Sequence, residues 1–262
     1  MKRPHQPDLF DAPPPPSLAT PPPRARCDPA THDDSALLST LPYATGADCE
    51  AMATEAVRRQ LAGAISALDA LCRRHRGFGR DHAIAEQRIA LAALAAIGGR
   101  DAAATLSGIL ADQIIEDPGL PDAMRAAQAL GCRLAPRICL PLLRHAHPAV
   151  RADAACCALQ HPANIAVLLD LLTDLNADVA NSAAMTLGRM ACAQARAPLL
   201  RLLHAAPSAD IIEAVTPVAD DVCVVALNRT ARARPDLLPC IVAALEEIDT
   251  ERAIRVATSL KG

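Results

Sequence analysis

Aromatic residues are almost missing from this sequence of 262 residues, which has no Trp, one Tyr (Tyr43) and two Phe (Phe10 and Phe78). This scarcity argues against a site that holds a large conjugated ligand between aromatic walls. Hydrophobic residues still make up 52% of the chain, so a core is available, but it must consist of Ala, Leu, Ile, Val and Cys. Because Ala and Leu are among the strongest helix formers, this composition predicts an all-α fold.

Lysine is scarce too, since Lys2 and Lys261 are the only lysines among 26 basic residues, and this bias together with the excess of Ala and Pro is typical of a GC-rich bacterial genome. The formal net charge of −3 is too small to attract nucleic acid or an anionic membrane by bulk charge alone. No apolar run follows Lys2 and Arg3 as a signal peptide requires, and no segment is long and apolar enough to span a bilayer. We therefore expect a cytoplasmic protein without a membrane partner.

The ten cysteines include no CxxC pair, which favours small core residues over a disulfide framework. The densest metal-capable cluster comprises His145, His147, Cys156, Cys157 and His161. Cys157 and His161 would form a ligand pair only if one helix spanned both, and Pro162 disfavours helical geometry at His161. We predict no metal, no cofactor and no catalytic residue, because no established phosphate-binding, dinucleotide-binding or hydrolase motif occurs either.

The chain divides into three regions by composition. Residues 1–47 hold 11 of the 22 prolines, which predicts a disordered, Pro-rich tail. Residues 48–80 show apolar residues at helical spacing from Val57 to Leu71, and Gly77 and Gly79 then interrupt the pattern. We predict one long capping helix or two shorter ones in this region.

Residues 81–262 repeat one pattern five times. Its Ala-rich stretches are RIALAALAAIG, DAMRAAQALG, VRADAACCALQ, VANSAAMTLG and IIEAVTPVA, which end 33, 29, 28 and 31 residues apart. Each of the first four leads into a second apolar stretch such as PANIAVLLDLL. Helix pairs that recur about every 30 residues predict an α-solenoid, in which neighbouring pairs bury each other's apolar faces.

Two consecutive units, HPAVRADAACCALQHPANIAVLLDLL and NADVANSAAMTLGRMACAQARAPLLRLL, resemble HEAT repeats of the short phycobilin-lyase type. In repeats of that type a turn residue precedes Val-Arg, an Ala-rich first helix ends at Leu-Gly, and the second helix carries a Leu-Leu pair. The likeness covers about residues 81–260, and it is strongest over residues 147–204. The sequence departs from it at Val179, which Ala180 follows in place of Arg, and at Pro217, which should kink or shorten its helix. The resemblance implies a fold, which does not by itself confer a function.

The stretch CRRHRGFGR is a candidate for nucleic-acid contact. Its arginines are Arg73, Arg74, Arg76 and Arg80. Phosphates could pair with these side chains and a base could stack on Phe78, although arginines also favour the C-terminal end of a helix through its dipole. The second helices carry further arginines: Arg137, Arg144, Arg196 and Arg201. Since IAVLLDLL between them has none, a protein-binding groove fits better than a continuous phosphate track.

The pentapeptide QPDLF, residues 6–10, resembles the motif with which bacterial replication and repair proteins dock on the sliding clamp. The resemblance implies partner contacts by Gln6, Asp8, Leu9 and Phe10, with the last two side chains in apolar pockets. Pro7 departs from the hydrophobic residue that is favoured at the second place of the motif.

These observations favour a non-catalytic protein-binding scaffold, with an unknown partner on the solenoid and the sliding clamp as a candidate partner of the tail. Two alternatives stay open. One is a DNA-repair or lyase-like enzyme, or an accessory of one, on the same fold. The other is a protein that binds nucleic acid directly.

Overall fold

A computed structural model describes residues 28–261, which form fifteen α-helices joined by short turns. The helices are α1 Asp34–Thr40, α2 Gly46–Arg58, α3 Ala64–Arg74, α4 Ala85–Ile97, α5 Gly99–Ala111, α6 Leu120–Ala129, α7 Pro136–Leu143, α8 Pro148–Cys157, α9 Pro162–Leu171, α10 Ala177–Arg189, α11 Arg196–Ala205, α12 Ala209–Val215, α13 Asp221–Ala233, α14 Leu238–Ile248 and α15 Glu251–Lys261. Over this range there is no β-strand, and one isolated parallel bridge joins Leu134 to Ala158. The prediction of an all-α fold is confirmed.

From α2 onward the helices alternate between two layers. The first helices of the pairs, which are the even-numbered helices α2 to α14, contact one another in chain order. The second helices also follow one another, from α3 through α9 and again from α11 through α15. Seven helix pairs therefore stack in chain order, and one continuous core of small aliphatic side chains runs from Leu37 to Ala257. This solenoid-like arrangement agrees with the prediction from the repeat spacing. The pairs stack because no single pair could bury its apolar face alone.

The folded region begins earlier than the predicted boundary at residue 47. Leu37 in α1 and Leu41 after it are completely buried, and α1 packs on α2 and α3. The proline content of residues 1–47 concealed these two leucines, which have enough apolar surface to order the segment around them. The predicted tail can therefore extend no further than residue 27. For residues 48–80 we predicted one long helix or two shorter ones, and the structure has two, α2 and α3. They form the first pair of the stack.

Arg59 attaches the start of the folded region to α2. Its guanidinium group donates to the backbone carbonyl oxygens of Pro29 at 3.0 Å and His32 at 2.8 Å. It also contacts the carboxylates of Asp34 at 3.0 Å and Glu55 at 2.6 Å. Hydrogen bonds from Arg58 and from Arg59 lower the pKa of Glu55 to about 2. One arginine therefore fixes the direction in which the chain enters the stack.

Two residues show how the repeat pattern serves the packing. Pro217 lies in a short 3-10 turn, Thr216–Val218, and α12 ends before it at Val215, which confirms the predicted shortening. Gly188 is buried in α10, where a Cβ atom would lie 2.4 Å from the carbonyl oxygen of Ala214 and 2.5 Å from Cδ1 of Leu199. A glycine at this position therefore lets α12 lie directly against α10.

Arg151, the arginine of the Val-Arg motif in α8, links two successive inter-helix turns. It donates to both oxygens of the Asp174 carboxylate at 2.9 Å, and to the backbone carbonyl oxygens of His145 and Ala146, also at 2.9 Å. Both charged side chains are largely buried, at 18% and 9% exposure. These hydrogen bonds from Arg151 hold the pKa of Asp174 below its usual value. Such a bidentate pair holds the turn before α8 and the turn before α10 together in a defined geometry.

Candidate binding surfaces

The four arginines predicted to contact nucleic acid have different surroundings. Arg73 is engaged within the fold, where it donates to Asp69 at 2.9 Å and to Asp112, the residue after α5, at 2.8 Å. Arg76 and Arg80 are exposed, and neither forms an ion pair with any residue of the described part. Arg73 is therefore a structural residue, whereas the latter two are free to contact a ligand.

The two aromatic residues of the described region lie near the end of α3 and are both exposed. Tyr43 is 73% exposed, and the guanidinium carbon of Arg74 lies 6.0 Å from the centre of its ring. Phe78 is 62% exposed, stands between two glycines with φ of 79° and 85°, and meets the ring of His75 edge-on at 6.4 Å. We define the aromatic–arginine patch as these residues together: Tyr43, Arg74, Arg76, Phe78 and Arg80. Sequence reasoning missed Tyr43, because it is separated from the other residues along the chain and joins them only through folding.

The histidines of the candidate metal cluster have local structural roles. His147 and His161 precede α8 and α9, and the Nδ1 atom of each accepts the backbone N–H two residues further on at 3.2 Å. His145 accepts the backbone N–H of His147 at 3.0 Å, and its Nε2 atom lies 2.8 Å from Asp117. In residues 28–261 no group of three or more His, Cys, Asp or Glu side chains is arranged to hold a metal ion.

Of the two cysteines of this cluster, Cys157 belongs to the core of the stack, whereas Cys156 is half-buried. Helix α8 ends at Cys157, so Cys157 and His161 do not share a helix. Burial raises the pKa of the Cys157 thiol well above its ordinary value, and it raises that of Cys139 to about 12. Protonated thiols in apolar surroundings are poor nucleophiles and poor metal ligands. Six of the described cysteines are buried, as the composition predicted: Cys49, Cys72, Cys132, Cys139, Cys157 and Cys223.

An open groove of about 720 Å³ lies between α5 and α7 in the second-helix layer. Its apolar surface comes from Leu110, Ile115, Leu120, Ile138, Pro141 and Leu142. Its polar rim comes from Gln113, Glu116, Asp117, Arg137 and His145. Arg137 was among the predicted second-helix arginines, and it is exposed with no ion pair in residues 28–261. We call this site the α5–α7 groove.

A second open groove, the α11–α13 groove, has a volume of about 550 Å³. Val222 and Val225 contribute to its apolar surface and are 61% and 48% exposed, which is high for side chains of this type. His204 and Arg229 supply polar groups, and Arg229 is exposed without an ion pair in the described region. Both grooves therefore combine apolar side chains with an arginine that has no carboxylate partner.

The two helix layers carry opposite charge. The seven first helices contain eleven acidic and five basic residues, which gives a formal charge of −6. The seven second helices contain five acidic and eleven basic residues, which gives +6. Of the remaining arginines that the sequence singled out, Arg144 and Arg201 are exposed without an ion pair in residues 28–261, whereas Arg196 donates to the carbonyl oxygen of Val218 at 2.7 Å. The sequence contained this division, but it becomes visible only when each helix is assigned to a layer.

The tail motif, with Gln6, Asp8, Leu9 and Phe10, lies outside the described residues. Comparison of the chain with protein-family models and with curated proteins gives no match. Among the helices of the described part, none is long and apolar enough to cross a membrane. The surfaces themselves must therefore indicate the kind of partner.

Proposed function

We propose that this chain is a non-catalytic protein-binding scaffold of the HEAT-repeat kind, and that its second-helix layer binds an acidic segment of a partner protein. The observation that carries this proposal is the charge of +6 on the second helices against −6 on the first helices. An acidic partner is attracted to the layer of second helices and repelled by the layer of first helices. Complementary charge of this kind selects partners and accelerates their association.

The grooves favour a protein segment over a bare polyanion. Their surfaces combine leucine, isoleucine and valine side chains with one unpaired arginine each, Arg137 in the α5–α7 groove and Arg229 in the α11–α13 groove. Within residues 28–261, the α11–α13 groove has no carboxylate in its lining and suits an acidic segment better than the α5–α7 groove, whose rim also carries Glu116 and Asp117. An apolar side chain of the partner would gain about 1.5–3 kcal/mol if it became fully buried there. A phosphate chain has no apolar group that could be buried on such a surface. In addition, α9 between the grooves contributes Asp170 and no basic residue, so the positive charge is not continuous. Acidic residues interspersed with Leu or Phe match both properties.

A capture experiment with matched charge reversals tests this proposal. The full-length chain, immobilised on beads, is compared with Arg229→Glu/Arg232→Glu in the second-helix layer and with Arg88→Glu/Arg125→Glu in the first-helix layer. All four arginines are exposed, so both double variants change the net charge equally without disturbing the core. We expect acidic partners to be lost from the second-layer variant and retained by the first-layer variant. Identical sets of bound proteins on all three forms would contradict the proposal.

The tail motif is the second part of the proposed function, in which Leu9 and Phe10 dock the scaffold on a sliding clamp. A short peptide that orders on binding typically reaches micromolar affinity, because part of the gain from burial is offset by the cost of ordering. The test measures binding of labelled peptide 1–16 and of the full-length chain to a bacterial clamp. Saturable binding that is lost in Leu9→Ala/Phe10→Ala is expected. Binding that is absent, or that the double variant retains, would remove the clamp from the proposal.

The structure also indicates where the tail can be removed without damage to the folded scaffold. Removal of residues 1–47 would expose the core around α2 and α3, since Leu37 and Leu41 are completely buried. Removal of residues 1–27 leaves those contacts and the hydrogen bonds of Arg59 intact. The shorter deletion should therefore abolish clamp binding while leaving capture of acidic partners unchanged.

A further inference from the structure

We infer that the aromatic–arginine patch at the end of α3 is a contact site for single-stranded nucleic acid, separate from the grooves of the second-helix layer. The first observation is the position of the aromatic residues. The core of this chain is built almost without aromatic side chains, and both aromatic residues of the described part, Tyr43 and Phe78, are exposed. Neither ring is therefore needed to fill the core, and both are available to a ligand.

The second observation is that the loop holds Phe78 in a defined position. The backbone N–H of Phe78 donates to the carbonyl oxygen of His75 at 3.1 Å, and that of Arg76 donates to Arg73 at 3.1 Å. A Cβ atom on Gly79 would lie 2.9 Å from Ile84 and 3.0 Å from the carbonyl oxygen of His82, so the chain turns there against its neighbours. An exposed ring on a constrained turn loses little freedom when a base stacks on it.

The third observation is the charge around the rings. Arg76 and Arg80 are exposed without ion pairs in residues 28–261, and they flank Phe78 along the chain. Arg74 lies against Tyr43 at 6.0 Å. The guanidinium group of Arg74 donates to the backbone carbonyl oxygen of Pro42 at 3.3 Å and forms no ion pair within residues 28–261. Arg74 beside Tyr43, and Arg76 and Arg80 two residues on either side of Phe78, can pair with phosphates while the rings stack on bases.

The combination favours a single strand over the other polyanions that arginines attract. In a duplex the base faces are stacked on one another, so they are hidden from protein side chains, and a duplex could use only the arginines. An acidic protein segment would likewise pair with the arginines, but it does not present a flat aromatic face at every unit as the successive bases of a strand do. The rings are therefore the feature that distinguishes the ligand, and the experiment varies them separately from the charge.

Fluorescence anisotropy of a labelled oligothymidylate strand with the full-length chain tests the inference at low salt. We expect saturable binding that weakens at least about fivefold for each ring replaced in Tyr43→Leu and Phe78→Leu, because stacking on an aromatic side chain is worth this much per base. Tyr43→Phe, which retains the ring, should bind like the wild type. Circular dichroism should show unchanged helix content in all three variants, since both side chains are exposed.

The charge is tested with Arg76→Ala/Arg80→Ala. The slope of log affinity against log salt is negative, and this variant should make it shallower by about 0.7 for each phosphate that an arginine no longer neutralises. Arg201→Ala/Arg232→Ala removes the same charge from the second-helix layer and should leave strand binding unchanged. Several results would overturn the inference: no saturable binding, binding that the leucine variants retain, or a duplex or acidic peptide that binds as tightly as the strand. Capture of acidic partners through the grooves does not involve these rings, so either proposal can fail while the other stands.

Discussion

Replacing Gly188 by alanine tests whether α10 and α12 touch along their backbones. The new Cβ atom would lie 2.4 Å from the carbonyl oxygen of Ala214, a backbone atom that cannot move without shifting α12. Overpacking of this kind costs about 3 kcal/mol at the upper end of its usual range. Alanine is about 1 kcal/mol better than glycine inside a helix, which offsets part of that cost. The expected net decrease is about 2 kcal/mol in the free energy of unfolding.

Gly108 in α5 provides the matched control. A Cβ atom there would meet nothing closer than a nitrogen of the Arg73 side chain at 3.9 Å, which is an ordinary contact. Gly108→Ala should therefore stabilise the chain by about 0.5–1 kcal/mol through helix propensity alone. Urea unfolding followed by circular dichroism measures both variants against the wild type. The close approach of α12 to α10 is refuted if Gly188→Ala proves as stable as the wild type or gains stability alongside Gly108→Ala.

Three further predictions concern single side chains. Arg59→Ala should speed protease cleavage before α1, whereas Arg58→Ala should not, because only Arg59 donates to backbone carbonyls of that segment; equal cleavage rates would contradict this. Arg151→Ala should lower the free energy of unfolding by about 2 kcal/mol or more at neutral pH. This deficit should shrink as pH falls below about 4, since the depressed pKa of Asp174 stabilises the fold only while its carboxylate is ionised, and a deficit independent of pH would count against the pair. Thiol alkylation of the native chain should label Cys240, which is exposed, before the buried cysteines, and uniform labelling would argue against the buried positions.

The repeat spacing predicted the helix pairs because each unit buries the same apolar face, and local spacing reports such a face directly. The closing glycines illustrate where this information ends. Gly98 and Gly131 follow α4 and α6 with positive φ of 71° and 63°, a backbone conformation that favours glycine after a helix end. Gly188 occupies the same place in the pattern but lies inside α10, where it accommodates a neighbouring backbone. Glycine at the closing position of the repeat thus has two different functions, and only the position of α12 in the fold distinguishes them.

The binding surfaces were predicted less completely than the fold. The sequence singled out Arg76 and Arg80, but it could not separate them from Arg73, whose partner Asp112 is far away in the chain. Tyr43 lies in a region predicted to be tail, and its place beside Arg74 depends on the burial of Leu37 and Leu41 nearby. Such contacts depend on how far apart two helices lie in the fold. The periodicity of a single helix contains no information about that distance.

The opposite charges of the two layers give this chain a dipole moment directed across the stack. A net charge of −3 describes its field only at distances large compared with the molecule. Nearer than about 8 Å, the screening length of a physiological salt solution, a charged partner responds to the layer that it meets first. The field would therefore turn an acidic partner toward the second helices before contact, so that added salt slows productive encounters as well as weakening the complex.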